Sequence, residues 1–310
     1  EVDIDHWVMK LSKIVRAISN KLTTSNYISK SKRNVAHHYD LSDKLYELFL
    51  DPDRQYSCAY FNSPNDTLEQ AQINKKELIS KKLLLEENQS VLDIGCGWGG
   101  MAAHIYKKSN ANVVGVTLSE EQIAYAQQRK IREKLEKVEY RLQDYRNVNE
   151  KYDRIVSVGM FEHVGTAHYQ EFFNKVYDLL NDSGVALIHT IGRLNEPGNT
   201  DPWIDKYIFP GGYIPALSET VSRVEKSGLS LTDVQVLRFH YAETLKRWRY
   251  NFYDNIEKVK EIYDEKFCRM WDFYLSSSQA SFEESTLVVF QMQLSKNKKT
   301  VPDSRNYMLT

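Results

Sequence analysis

The sequence predicts an α/β fold, a parallel sheet covered by helices on both faces. Three observations carry that reading. From Ser90 onward, short apolar runs alternate with longer stretches of helical periodicity. The first such run, Val91–Ile94, passes directly into the glycine-rich turn Gly95-Cys96-Gly97-Trp98-Gly99-Gly100. The composition is that of a soluble globular chain, with 310 residues, 42% of them apolar and 27% charged.

Residues 1–36 form a first unit. Trp7, Leu11, Ile14, Ile18 and Leu22 recur at three and four, which predicts an amphipathic helix. Seven basic and three acidic residues fall before position 34. The segment reads either as a helix packed on its own domain with lysines at the edge or as one lying on an anionic membrane. It lacks the apolar core of a signal peptide.

After the turn, a helix is expected near Met101–Lys108 and a second strand at Asn112–Thr117. A long helix follows over Ser119–Glu136 with Ser119 as its N-cap. Further strands are expected at Val138–Leu142, Tyr152–Val158 and Val185–Thr190, with an amphipathic helix at Tyr169–Leu180 between the last two. Residues 192–227 break the alternation: Pro202 to Pro215 holds five prolines and glycines, which predicts a cap inserted over the strand ends. A sixth strand is expected at Leu229–Phe239. An aromatic-rich helical cap at 242–280 follows, with Trp248, Tyr250, Phe252, Tyr253, Trp271, Phe273 and Tyr274, and then a last strand at Thr286–Leu294. The main domain is therefore placed at 37–295, and residues 296–310 read as a frayed polar tail.

Lys plus Arg number 41 and Asp plus Glu 42, so the net charge is −1 and a global attraction to nucleic acid is excluded. No run approaches the ~18 apolar residues of a spanning helix. Three cysteines without metal-type spacing point to a reducing, cytoplasmic compartment.

In an open parallel sheet, ligands bind at the carboxyl ends of the strands. Glycines at such an end accept positive φ and let a ligand approach the backbone. The pattern here is G-x-G-x-G rather than the dinucleotide G-x-G-x-x-G, with Asp93 two positions before Gly95. A carboxylate there suits an ammonium group better than a pyrophosphate, which points to S-adenosylmethionine. No acid stands at Thr117-Leu118 for ribose hydroxyls, but Gln122 lies one turn into the next helix and is able to bond them. Asp144 reads as an acceptor for an adenine amine or as a solvated loop acid, with Tyr145 beside it to pack on the ring.

At these residues the chain resembles the cyclopropane-fatty-acid synthases, which include the mycolic acid cyclopropane synthases. The shared blocks are HYDLS (38–42), YSCAYF (56–61), TLEQAQ (67–72), VLDIGCGWGG (91–100), VGVTLS (114–119), SVGMFEHVG (157–165), HTIG (189–192), DPWIDKYIFP (201–210) and HYA (240–242). They run from about Asn34 to Ser295. The glycine motif alone indicates a methyltransferase, whereas the blocks together are specific.

The resemblance implies a seven-stranded, Rossmann-like class I methyltransferase fold. It implies methyl transfer from S-adenosylmethionine to the cis double bond of unsaturated phospholipid acyl chains, and ring closure by loss of a proton to bound bicarbonate. By motif position the bicarbonate ligands are Cys58, Glu162, His189, Tyr241 and the backbone of Ile191. The cofactor residues are Tyr56, Ser57, Gly95, Gly97, Thr117, Leu118 and Gln122, with the Asp144-Tyr145 region at the adenine. Cys58 is expected as a neutral thiol or a backbone contact. Glu162 is expected to bond His189 or the bicarbonate hydroxyl. Glu162 follows the fourth strand and His189 is expected to end the fifth.

The chain departs from the longer bacterial members, which carry a separate N-terminal domain. Peripheral association with the inner membrane is expected, where a homodimer would present two faces to the bilayer. Two rivals stay open: a methyltransferase that leaves a methyl branch or acts on a small amine, and a non-catalytic cofactor-binding protein at a membrane.

Overall fold

The computed structural model describes residues 41–308. The basic helix expected within 1–36 and the HYD of the first shared block lie outside the described residues. Two helices come first, α1 (Asp43–Phe49) and α2 (Leu68–Lys82). Thr67 caps α2, its hydroxyl accepting from the Gln70 N–H at 3.2 Å. The alternating part then runs β1 (Ser90–Ile94), α3 (Gly100–Ser109), β2 (Asn112–Thr117), α4 (Glu120–Arg132), β3 (Val138–Leu142), β4 (Tyr152–Val158), α5 (Tyr169–Leu179) and β5 (Leu180–Arg193). Ser119 caps α4 as expected, accepting from the Gln122 N–H at 3.2 Å.

The strands form one sheet of seven in the order β3-β2-β1-β4-β5-β7-β6, where β6 is Ser230–Leu237 and β7 is Leu287–Ser295. All neighbours are parallel except β7, which runs antiparallel to both β5 and β6. The central strands are buried along nearly their whole length, as a sheet covered on both faces requires.

Strand β5 is longer than expected. Its parallel pairing with β4 ends at Val158↔His189, but its pairing with β7 continues to Arg193↔Leu287. His189 therefore lies inside a strand rather than at its end. It is level with the end of β4, where the sheet opens.

Residues 192–227 divide into two parts with different roles. The helix α6 (Pro202–Tyr207) and its flanking loops line the cavity described below. The helix α7 (Leu217–Ser227) instead packs Val224 and Leu217 into the core around Phe172, Phe173 and Val176 of α5. It is the crossover helix between β5 and β6 and not part of a cap, because its apolar stripe has a sheet-side partner. The 242–280 block is three helices: α8 (His240–Asp254), α9 (Ile256–Ile262) and α10 (Glu265–Glu284). Asp264 starts α10 by accepting from the Phe267 N–H at 2.7 Å.

The tail is not frayed where it is described. Val301 is buried, and the Tyr307 hydroxyl meets the Gln293 side chain at 3.0 Å. A polar sequence did not reveal this, because the anchor is a hydrogen bond to a buried glutamine. Cores on the two sheet faces and a third, aromatic core between α1, α8 and α10 hold the fold together.

Candidate active site

The turn after β1 is built on backbone constraints. The N–H groups of Gly95 and Cys96 both donate to the Val116 carbonyl, at 2.9 and 3.0 Å, tying the turn to the end of β2. Gly95 has φ +79°, and a Cβ there would stand 2.8 Å from the Met160 Cβ. Gly97 has φ +55° but open space, its nearest neighbour being Gln122 Nε2 at 4.0 Å. Its bare backbone forms one wall of a cavity at the ends of β1, β2 and β4.

All ten cofactor residues expected from the sequence line this one cavity: Tyr56, Ser57, Asp93, Gly95, Gly97, Thr117, Leu118, Gln122, Asp144 and Tyr145. Asp93 is 1% exposed, and its Oδ2 has no hydrogen-bond partner. Burial pushes its carboxyl up to about 7. A buried carboxylate oxygen without a partner fits a ligand that brings a cation or donor of its own. Gln122 accepts from the Thr117 hydroxyl at 3.0 Å, which leaves its NH2 group for the cavity.

Asp144 differs from expectation. Both its oxygens are engaged by Arg146, Oδ2 by Nη2 at 2.6 Å and Oδ1 by Nε at 2.9 Å. An adenine amine would have to share the carboxylate with that guanidinium. The Tyr145 ring packs edge-on to Phe172, with centroids 5.5 Å apart.

Residues 54–57 close the cavity from the other side, and α2 holds them. Gln72 Nε2 donates to the carbonyls of Gln55 and Ser57 at 3.2 and 3.0 Å. Lys75 Nζ donates to Gln55 Oε1 at 2.7 Å and Ser57 Oγ at 2.8 Å. Two of the shared sequence blocks are thus one structural unit. Lys75 is fully buried, and burial lowers its ammonium to about 7. Sequence reading passed over it. The available signal was its spacing of four from both Ala71 and Ile79, on the buried stripe of α2.

A second cavity, of about 570 Å³, opens beside the first. The two share Tyr56, Ser57, Gly159 and His163 as common walls. Cys58, Glu162, His189, Ile191 and Tyr241 all line the second cavity. Of the seven aromatics singled out in the 242–280 block, only Phe273 and Tyr274 do so. Trp248, Phe252 and Trp271 are core, and Tyr250 and Tyr253 face solvent. Phe209, Tyr213 and Phe282 add aromatic surface to a lining that also holds Arg193, Asp201 and Ser277.

The polar groups meet differently from expectation. Ile191 N–H donates to Glu162 Oε1 at 2.6 Å, so Glu162 bonds that backbone and not His189. Glu162 Oε2 is buried without a partner, and burial pushes the carboxyl up to about 7. His189 Nδ1 instead faces Gln291 Nε2 at 3.1 Å. Burial holds His189 well below the usual imidazole range, so the ring is neutral. Cys58 Sγ donates to the Ala59 carbonyl at 3.3 Å, and burial pushes its thiol up, which makes it a neutral group. The Tyr241 ring stands edge-on to Trp248 at 5.8 Å.

A seven-stranded sheet of this order, with its glycine turn after β1 and cavity at the strand ends, defines a class I S-adenosylmethionine-dependent methyltransferase. A family model described as mycolic acid cyclopropane synthetase matches residues 27–292, and the chain belongs to that family. Cyclopropane-fatty-acyl-phospholipid synthase of Escherichia coli (strain K12) is 41% identical over 259 residues, covering 84% of this chain and 66% of that protein. Cyclopropane mycolic acid synthase 3 of Mycobacterium tuberculosis is 38% identical over 279 residues, covering 85% and 96%. The crystal structure of mycolic acid cyclopropane synthase CmaA1 complexed with SAH and CTAB superposes with a TM-score of 0.80 at 36% identity, covering 85% of this chain and 97% of that one. The chain thus spans about two thirds of the length of the Escherichia coli relative and nearly all of the mycobacterial ones.

Proposed function

We propose that the protein converts the cis double bond of an unsaturated phospholipid acyl chain into a cyclopropane ring at a membrane surface. The observation that carries this reading is the meeting of the glycine-turn cavity with a larger apolar cavity along Tyr56, Ser57, Gly159 and His163. At about 570 Å³ the second cavity is within the ~300–1,000 Å³ range of small-molecule sites. The CTAB bound to a relative, a single-chain detergent, supports a chain-shaped ligand.

S-adenosylmethionine, when bound, supplies an electrophilic methyl group. The bare Gly97 backbone and the unpartnered Asp93 Oδ2 fit its ammonium-bearing end, and Gln122 has an amide NH2 free to donate. Tyr56, Ser57, Thr117 and Leu118 complete the wall, with Asp144 and Tyr145 toward the base. A methylated alkene is a carbocation, which needs a dry, π-rich site. Aromatic faces give a desolvated cation about 2 kcal/mol or more, and Tyr274, Phe209 and Phe282 offer such faces.

Bicarbonate, when bound, supplies a weak base for the proton that leaves as the ring closes. The donor set fits a small hydroxylated anion. His189 and Tyr241 would donate to it, and the unpartnered Glu162 Oε2 would accept from it. Cys58 remains a neutral thiol at the wall. The Ile191 N–H is already held by Glu162, so it serves an anion only if that bond opens.

Tyr207 and Phe273 are 48% and 53% exposed, and both pack on the cavity-lining Trp203. Lys206 lies 4.9 Å from the centre of the Tyr207 ring. An aromatic rim with a cation is suited to a lipid interface, and we assign this rim to the bilayer at the cytoplasmic face of the inner membrane. A homodimer would double that contact. Among the described residues, no helix is long and apolar enough to cross a membrane.

The test is incubation with S-adenosylmethionine, bicarbonate and vesicles of cis-unsaturated phospholipid, followed by mass spectrometry of the fatty acid methyl esters. A product one methylene heavier that survives hydrogenation is expected. A heavier product that takes up hydrogen would be a methyl-branched alkene and would overturn ring formation. No product, with cofactor binding confirmed, would overturn the lipid substrate.

A further inference from the structure

The antiparallel register sets three polar side chains in a row across the sheet. His189 of β5 pairs with Gln291 of β7, and Gln291 pairs with Gln235 of β6. Residues opposite each other in a ladder share a face, so the three side chains project together toward α2. There the last residue of that helix, Lys82, is completely buried. Its Nζ donates to Gln291 Oε1 at 2.8 Å and to Gln235 Oε1 at 2.5 Å. The Lys82 carbonyl is held in turn by Gln293 Nε2 at 2.5 Å.

An ammonium has donors and no acceptor. Lys82 therefore fixes which end of the Gln291 amide faces it, namely the oxygen. The amide NH2 must then point the other way, to His189 Nδ1, 3.1 Å distant. A neutral imidazole facing a donor accepts with that nitrogen and carries its hydrogen on the other. We infer that Lys82, acting through Gln291, is a positioning residue that locks His189 as the Nε2–H tautomer, with its single N–H presented to the catalytic cavity.

This assigns a function to two residues that do not line that cavity. It rests on the proposed reading in one respect, that an anion in the cavity is what the His189 N–H meets. Burial lowers Lys82 only to about 8, so at neutral pH it remains a donor. A tautomer held from behind costs nothing to reorganise when an anion arrives, which is the advantage of a preorganised donor. The same logic makes the outer partner of a metal-bound histidine matter, where its loss costs roughly 10–100-fold.

The experiment is nitrogen NMR of the full chain carrying 15N-labelled histidine, at neutral pH without added cofactor or bicarbonate. His189→Gln identifies the resonances. In the wild type, Nδ1 should be unprotonated and Nε2 protonated. Gln291→Glu keeps the size but replaces the NH2 by an acceptor, and should move the proton signature onto Nδ1. Lys82→Met frees the amide to flip, and should give a mixture of both tautomers. Loss of a merely structural contact would lower the melting temperature without moving the ring proton. A wild-type ring protonated at Nδ1, or an unchanged ring in Gln291→Glu, would overturn the inference. Should neither variant fold, the wild-type spectrum decides alone. In turnover, Gln291→Glu should raise the bicarbonate needed for half-maximal rate by about tenfold. If the vesicle assay yields no product while the tautomers behave as stated, the lipid reading fails and the positioning stands.

Discussion

Glu162 Oε1 accepts the backbone N–H of Ile191 at 2.6 Å, while its other oxygen is buried with no partner. One half of the carboxyl is spent on holding the end of β5 against the turn after β4. The other half is left at the wall of the apolar cavity.

That division predicts the behaviour of Glu162→Gln. The isosteric amide can still accept from Ile191, so the fold and cofactor binding should persist. Turnover should fall by roughly 10²–10⁴, the usual worth of a positioned acid or base. Calorimetry of cofactor binding beside the lipid assay measures both. Turnover within about threefold of wild type, under ~1 kcal/mol in the barrier, would remove Glu162 from the mechanism.

Tyr241→Phe keeps the ring against Trp248 and Phe282 and deletes only the hydroxyl. The bicarbonate concentration for half-maximal turnover should rise several-fold, with the melting temperature little changed. An unchanged bicarbonate dependence would mean that the hydroxyl does not serve the anion.

Asp93 gives a pH dependence with a definite sign. Its carboxyl is raised from 3.8 to about 7 by burial. The folded state therefore holds a proton that the unfolded state has lost. Its stabilising contribution is present below about pH 4 and is lost as pH rises through about 7. A ligand ammonium needs the ionised form, so cofactor affinity should climb from about pH 5.5 to about pH 7 and then level. Asp93→Asn should flatten that profile. Titration calorimetry in buffers of different ionisation heat would also detect the released proton.

Gly95→Ala should harm both stability and binding. The added Cβ meets Met160 at 2.8 Å in a backbone conformation of φ +79°. Strain of this kind costs on the order of 1–3 kcal/mol, so a lowered melting temperature and weaker cofactor binding are expected. A wild-type melting curve would show that the turn tolerates a side chain.

Much of the sheet was legible in the sequence because its signals are local. The runs at 112–117, 138–142 and 152–158 are the observed strands β2, β3 and β4. Each is short and carries β-branched or aromatic residues, and each is followed by a turn or cap. Asp93, Gly95, Gly97, Gln122, Asp144 and Tyr145 were legible from strand ends and the turns after them, whereas Tyr56, Ser57, Thr117 and Leu118 were placed only by the resemblance; all ten line one cavity. The cap was less legible. Proline and glycine density marked 192–227 as one unit, yet α7 belongs to the sheet layer because its stripe finds Phe172 and Phe173.

By itself, the sequence determined the parallel sheet, the glycine turn with Asp93 before it, and the family through its spaced blocks. Local periodicity and short motifs are sufficient for these, because each is set by neighbours in the chain. Only the tertiary structure decided which groups are paired. Glu162 finds Ile191, His189 finds Gln291, and Lys82 reaches two strands some 150 to 210 residues further on. Such partners are chosen by cross-strand register and by the need to satisfy buried polar groups. Neither constraint acts between neighbours in the chain.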